Sequence, residues 1–294
     1  MPVPLSVIVC THNRPEQLRR CLVALRASLR DGDELLVVDS ASSTDASAQV
    51  AAEAGATVLR CERPGLSRAR NAGWRAARHQ HIAWTDDDVE VQPGWAGAIA
   101  GAFGEGVDFV TGWIGPLPGQ EHLERPTPIM LNEQPMALDG SSTGALGAGA
   151  NHAVTRRALE AIGGYREDLG AGTWFGGGED HELFDRLFAA GFRGWYEPTA
   201  KVHHDMWRSR REGLRLEWRY GKGMGARLVS LRRLDSARAR HHIRAALWDY
   251  GLRVVGRELR EGYEYGALAD LVRLAGTAAG AVAFAAGTMG RWRR

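Results

Sequence analysis

The run HIAWTDDDVEVQPGW sets three neighbouring carboxylates, Asp86, Asp87 and Asp88, at the end of a short apolar stretch, His81 to Trp84. Like charges this close repel and raise one another's pKa, so such a cluster calls for a positive partner. A divalent cation, Mn²⁺ or Mg²⁺, would supply it, because these ions take oxygen ligands and share them between carboxylates and phosphates. Strand-like alternation turns Asp86 and Asp88 to one side and Asp87 to the other. The competing reading is an acidic approach to the helix after Pro93, where negative charge favours the helix dipole.

Four further groups could do chemistry. Thr11, Asn13 and Arg14 follow the first apolar run, and Asp39 and Ser40 follow the second. Arg68, Arg70 and Asn71 lie in GLSRARNAGWRAA, where guanidinium planes suit phosphate oxygens. In WFGGGEDHELF a glycine run delivers Glu179 and Asp180 to the start of a helix, which suits ligand approach or, more simply, capping. His203 and His204 in AKVHHDMW cannot both face one way on an extended segment, and His203 is preferred slightly. His181 follows Asp180 on the same helix and is expected to point away from it.

The elements that must position these residues alternate. Strand-like runs at 5–10, 34–38, 57–61, 81–84 and 107–110 are separated by helix-like segments, which argues for an α/β sheet. Leu18, Cys21, Leu22, Leu25 and Leu29 recur at helical spacing behind Pro15, while Ser43, Thr44, Asp45 and then Gly55 bracket a second helix. Open parallel sheets bind ligands beyond the carboxyl ends of their strands, and Thr11–Arg14, Asp39–Ser40 and Asp86–Asp88 all fall there. From Trp113 to Gly149 the pattern breaks into a Pro/Gly-rich segment expected to be a functional loop. A helical region begins near residue 206.

Composition bounds the rest. The chain has 294 residues, 44% hydrophobic and 24% charged, as in a globular protein with a large core, and these figures exclude disorder. Three cysteines, Cys10, Cys21 and Cys61, sit in apolar patterns without metal-type spacing, and MPVPLSVIVC lacks the features of a secretory signal, so a cytoplasmic setting is expected. Net charge is +2, yet residues 206–294 hold 19 Lys/Arg against 8 Asp/Glu, a net of +11, and the remainder 18 against 27, a net of −9. Such a basic region fits the inner face of a membrane, an acidic partner or a solvated helical face, and no nucleic-acid motif accompanies it. The weakly apolar stretch 274–290, followed by RWRR, is expected to pack on the protein itself or in an oligomer interface, ahead of lying on a membrane surface with Trp292 and the arginines at the headgroups.

THNRPEQLRRCL followed by VVDSASSTDAS resembles the opening of the family 2 glycosyltransferases of GT-A fold, through Thr11, Asn13, Arg14, Asp39, Ser40, Ser43 and Asp45. The resemblance covers about residues 5–205. It implies a Rossmann-like nucleotide-binding sheet, a mixed-sheet acceptor half and a C-terminal helical appendage, with a catalytic domain over 1–205 and basic helices over 206–294. It implies that a nucleotide-diphosphate sugar, UDP-linked first, is held by Thr11, Asn13, Arg14, Asp39, Arg68, Asn71, Asp86 and Asn151. Asp86, Asp88 and His203 are then metal ligands, Glu179 and Trp113 bind an acceptor, and Asp180 is the general base of inverting transfer. Two alternatives stay open at this point, a sugar-1-phosphate nucleotidyltransferase and a non-catalytic sugar-binding scaffold.

Overall fold

The computed structural model describes residues 3–120, 130–139 and 147–291. The chain divides into two compact units, one built from Met1–Glu121, Thr127–Tyr165 and Ala190–Met206, the other from His122–Pro126, Arg166–Ala189 and Trp207–Arg294. The glycine run and the helix after it thus group with the C-terminal helices. Trp292 and the two arginines after it lie outside the described residues.

The first unit is a mixed sheet with helices. Its strands are β1 (Leu5–Thr11), β2 (Glu34–Ser40), β3 (Thr57–Cys61), β4 (His81–Asp86), β5 (Val89–Val91), β6 (Phe109–Pro116), β7 (Met136–Leu138), β8 (Asn151–Thr155) and β9 (Gly194–His204). They lie in the order β3-β2-β1-β4-β8-β6-β9-β5, with β7 also on β9. β1 to β4 are mutually parallel, whereas β8 runs antiparallel to β4 and β6. This is the expected nucleotide-binding half joined to a mixed half. β6 continues through Trp113 to Pro116, so the expected loop starts later than its composition suggests.

Helices α1 (Pro15–Ser28), α2 (Ala46–Glu53), α3 (Leu66–Ala76), α4 (Trp95–Ala102) and α5 (Arg156–Ile162) accompany the sheet. Leu18, Cys21, Leu22 and Leu25 of α1 join Val7, Val9 and Val37 in one core, together with Trp95 and Ile99 of α4. Removing such side chains from water, at roughly 25 cal/mol per Å² of apolar surface, is what holds the strand ends in place. α3 sits closest to the sheet at Gly73, where a Cβ would come 2.8 Å from Ile8.

The second unit contains α6 (Glu179–Ala189), α7 (Arg210–Leu234), α8 (Ser236–Arg244), a π-helical segment (Ala245–Leu252), α9 (Arg253–Glu261) and α10 (Glu264–Arg291). Ser209 starts α7 with a reciprocal capping box to Glu212. α7 and α10 pack backbone to backbone. A Cβ on Gly225 would meet the Thr277 carbonyl at 2.1 Å, and one on Gly280 the Lys222 carbonyl at 2.1 Å. On another side of α7, a Cβ on Gly178 would come 2.6 Å from the Gly223 carbonyl, so the glycine run rests directly on that helix.

Candidate active site

Strand order reverses between β1 and β4: from β1 the chain passes to β2 and β3 on one side, then returns to β4 on the other. Such a switch point opens a crevice at the carboxyl ends of the strands. The register places Thr11 opposite Asp39 and Cys10 opposite Asp86, so the polar strand ends share one edge. The positive-φ residues Asn13 (55°) and Ala41 (59°) are the non-glycine ones in the chain's described backbone, and both sit on this edge. Asparagine tolerates that conformation better than alanine, so Ala41 stores strain where strained residues tend to cluster.

Asp86, Asp88 and His204 present one oxygen or nitrogen each within 4.8 Å of one another. The antiparallel pairing of β5 with β9 sets Val89 opposite His204 and brings the Asp205 amide to the Asp88 carbonyl at 2.9 Å. His204 Nδ1 lies 3.2 Å from the Asp205 carbonyl, and its Nε2 faces the acids, 3.5 Å from Asp88 Oδ1. His203, the histidine preferred from sequence, faces the other way. Its Nδ1 donates to the Pro116 carbonyl at 2.7 Å and its Nε2 meets the Gln92 amide at 2.6 Å. Among the described residues it is thus His204, and not the expected His203, that joins the acid cluster, because alternation excludes one histidine and only the β5 register decides which.

Positive charge does meet the acids. Arg14 Nη1 donates to Asp87 Oδ1 at 2.9 Å and reaches Asp88 Oδ2 at 3.4 Å, while Arg70 Nη2 donates to Asp86 at 3.1 Å. Asp87 also accepts from the Thr11 hydroxyl at 2.8 Å. Burial pushes Asp87 up to about 6 against the opposing pull of Arg14, with Asp88 adding to the rise. Arg70, one of the two arginines read from sequence as suited to phosphate oxygens, is buried beneath Gly149 and over the Tyr165 ring. Arg20 and Gln120 both bind Asp205, at 2.5 and 2.9 Å, and so tie down the corner after His204.

At the end of β2, Asp39 Oδ1 accepts the Ser42 amide at 2.8 Å and Oδ2 accepts Arg60 Nη1 at 3.1 Å. Its side chain is 1% exposed beneath the 43% exposed Arg60, so any group reaching Asp39 must move or share that arginine. Asn13 receives the Ser43 amide at 2.8 Å and orders the turn between the two loops.

Two residues expected to hold the nucleotide sugar make their described hydrogen bonds to the framework. Asn151 accepts from Trp95 Nε1 at 2.8 Å and donates to the carbonyls of Trp113 and Ala200 at 2.9 and 2.7 Å, which uses both amide hydrogens. Asn71 donates to the Tyr165 carbonyl at 2.8 Å and accepts from the Tyr165 amide and Trp74 Nε1 at 2.9 and 3.0 Å. Buried amides need such partners, and here the backbone provides them. Arg68 binds the Pro64 carbonyl at 2.8 Å at the start of α3. Trp113 lies over Gly115, edge-on to His203, and its buried indole N–H has no partner among the described residues.

Glu179 and Asp180 open α6 in the helical unit. Gly176 and Gly178, at φ 74° and 79°, make the turn that precedes them. Asp180 folds back along its own backbone, so its Oδ1 accepts both the His181 amide at 2.8 Å and the His181 ring at 2.9 Å. The expectation that His181 points away is thus corrected, since a first-turn acid can bend onto the next residue.

Residues 6–163, more than half of the chain, match Glycosyl transferase family 2. The chain is 29% identical over 213 residues to the pre-mycofactocin glycosyltransferase of Mycobacterium tuberculosis, covering 68% of this chain and 42% of that protein. It is 32% identical over 111 residues to the putative glycosyltransferase EpsH of Bacillus subtilis, covering 36% and 32%. It therefore spans less than half the length of these curated relatives. Among solved structures, the mannosyltransferase PcManGT of Pyrobaculum calidifontis, in complex with GDP-Man and Mn²⁺, superposes with a TM-score of 0.63 at 18% identity, over 100% of this chain and 81% of that one. TarS 1–349 of S. aureus, in complex with UDP-GlcNAc, gives 0.56 at 14% identity over 79% and 71%. The sheet order, the acids at its switch point and the match over 6–163 lead to one conclusion: the chain belongs to glycosyltransferase family 2 and has the GT-A fold.

Proposed function

We propose that the chain transfers a sugar from a nucleoside-diphosphate sugar, UDP-linked first, to an acceptor hydroxyl with inversion at the anomeric carbon. The observation that carries this reading is the Asp86–Asp88–His204 donor set at the switch point. Two carboxylates and an imidazole suit Mn²⁺ better than Mg²⁺, which prefers oxygen alone. When bound, such a cation offsets the charge that builds on a departing diphosphate. The named glycosyltransferase relatives, and the neighbours solved with GDP-Man and UDP-GlcNAc, support the same donor class.

The chain's own residues divide the remaining work. Arg14 and Arg70 brace the aspartates and offer planar donors to phosphate oxygens. Thr11, Asn13, Asp39 and Arg60 line the nucleoside side, with Arg68 nearby on α3. Asp180 takes the hydroxyl proton as the acceptor oxygen attacks, and His181 orients the carboxylate through Oδ1. Glu179 and Trp113 remain the residues proposed for acceptor binding, each within its own unit.

The test is a panel of UDP-, GDP- and dTDP-sugars with Mn²⁺, read as release of nucleoside diphosphate. Asp180→Asn should keep the nucleotide-dependent thermal shift while turnover falls about a thousandfold, as for loss of a general base. Parental turnover in that variant removes Asp180 from the role, and release of pyrophosphate instead points to nucleotidyl transfer.

A further inference from the structure

The helical unit carries an apolar face that its own packing leaves uncovered. α10 turns Gly276, Gly280 and Phe284 inward, and on its other side Leu268, Leu271, Ala275, Ala278, Val282 and Ala286 recur every three or four residues, all exposed. At 1.5 Å per residue this stripe runs about 27 Å. Leu268, Leu271 and Val282 are 48%, 46% and 72% exposed. Between the stripe's ends the charged residues are Asp270 and Arg273, and Arg273 is turned to Glu217. Trp248, Leu252 and Leu259, on the preceding π-helical segment and α9, are more than half exposed as well. Single exposed apolar residues are ordinary, but a contiguous face of this length marks a surface made for another phase or partner.

Charge chooses the occupant. Arg244, Arg257 and Arg260 are exposed in the same stretch, within a region of net charge +11. A second copy would bring the same sign to a shared two-fold contact, whereas an anionic lipid surface offers phosphates to the arginines and an acyl boundary to the apolar side chains. Residues 264–287 are long enough to span a bilayer, with hydropathy 1.4. However, α10 is seamed to α7 along Gly221, Gly225 and the Glu217–Arg273 ion pair, and a charged seam is costly in hydrocarbon. We propose that the exposed face of α9 and α10 docks on an anionic bilayer, lying in the plane of the headgroups. This docking is independent of the transfer chemistry.

The full chain is floated with phosphatidylcholine vesicles, with and without about 30% phosphatidylglycerol, at low and high salt. The expected result is binding to the anionic vesicles, reversed by salt and weak on neutral ones. Leu271→Glu with Val282→Glu, and separately Arg257→Glu with Arg260→Glu, should each lower that binding at least about tenfold. Both double variants should melt like the parent and keep its Mn²⁺-dependent nucleotide binding, because all four side chains are exposed. Equal binding to both vesicle types, or none to either, overturns the proposal. So does release by detergent alone, which would mean a spanning helix, or a soluble dimer that Val282→Glu dissociates, which would mean a second copy.

Discussion

In the sheet unit three adjacent carboxylates meet two arginines, whereas in the helical unit one carboxylate, Asp185, meets two. Arg227 grips Asp185 through Nε and Nη2 at 2.7 and 3.0 Å, and Arg238 adds a third contact at 2.9 Å. Asp185 and Arg227 are 1% and 3% exposed, so that knot is closed to any ligand. In the strand-end cluster Arg14 and Arg70 are spread over three carboxylates among the described residues, and Asp86 keeps 29% of its side chain in solvent. A carboxylate held by two arginines and shut from solvent serves the structure, while one with its oxygens partly in solvent can still take a cation.

The largest effect expected from this contrast is at Asp88. Replacing it by alanine removes a proposed ligand and the longer of Arg14's two carboxylate contacts, so Mn²⁺-dependent nucleotide binding and turnover should fall by about three orders of magnitude, with little change in the melting midpoint without metal. His204→Ala should weaken the Mn²⁺ response about 10- to 100-fold, and His203→Ala far less. Titration of nucleotide binding with Mn²⁺ checks all three, and a reversed histidine order would break the assignment made from the β5–β9 register.

In the helical unit the same kind of substitution should cost stability. Asp185→Ala leaves the buried guanidinium of Arg227 without its partner, and breaking a buried pair from one side costs about 3–5 kcal/mol. Chemical denaturation would show a lower midpoint at unchanged slope, while a change as small as an exposed pair gives would mean that water reaches this knot.

Much of the parallel half was legible because its signals are local. The runs Val7–Cys10 and Leu35–Val38 are continuous and apolar, and the polar residues that follow them stop them visibly. The mixed half was not, since β5 and β7 are three residues each and acquire their meaning only by pairing with β9. The site shows the same limit. Spacing marked Asp86 and Asp88, but the facing of His204 depends on a strand partner more than a hundred residues away in sequence. Asn71 and Asn151 matched a binding pattern by type, although an asparagine that caps backbone groups in a core looks the same in sequence. Arg60 carried no signal at all until β3 placed it over Asp39.

The two regions should also answer pH in opposite directions. Asp87 is raised from its ordinary 3.8 to about 6, so the folded state holds that proton more tightly than the unfolded chain does. Its contribution is full below pH 3.8 and is lost as pH rises through about 6. His242 is lowered from its ordinary 6.5 to about 4 by burial and then by Arg227, whose Nη2 lies 3.3 Å from its Nδ1. The neutral ring is stabilising above pH 6.5, and that contribution is lost as pH falls through about 4. Melting midpoints in chelator, taken across this range for the parent, Asp87→Asn and His242→Gln, separate the two. The advantage of Asp87→Asn over the parent should grow from pH 4 to pH 6, whereas the deficit of His242→Gln should be greatest near neutrality and shrink in acid. Parallel curves for all three proteins would mean that neither side chain changes its proton affinity on folding, and the contrast between the open and the closed carboxylates would then rest on geometry alone.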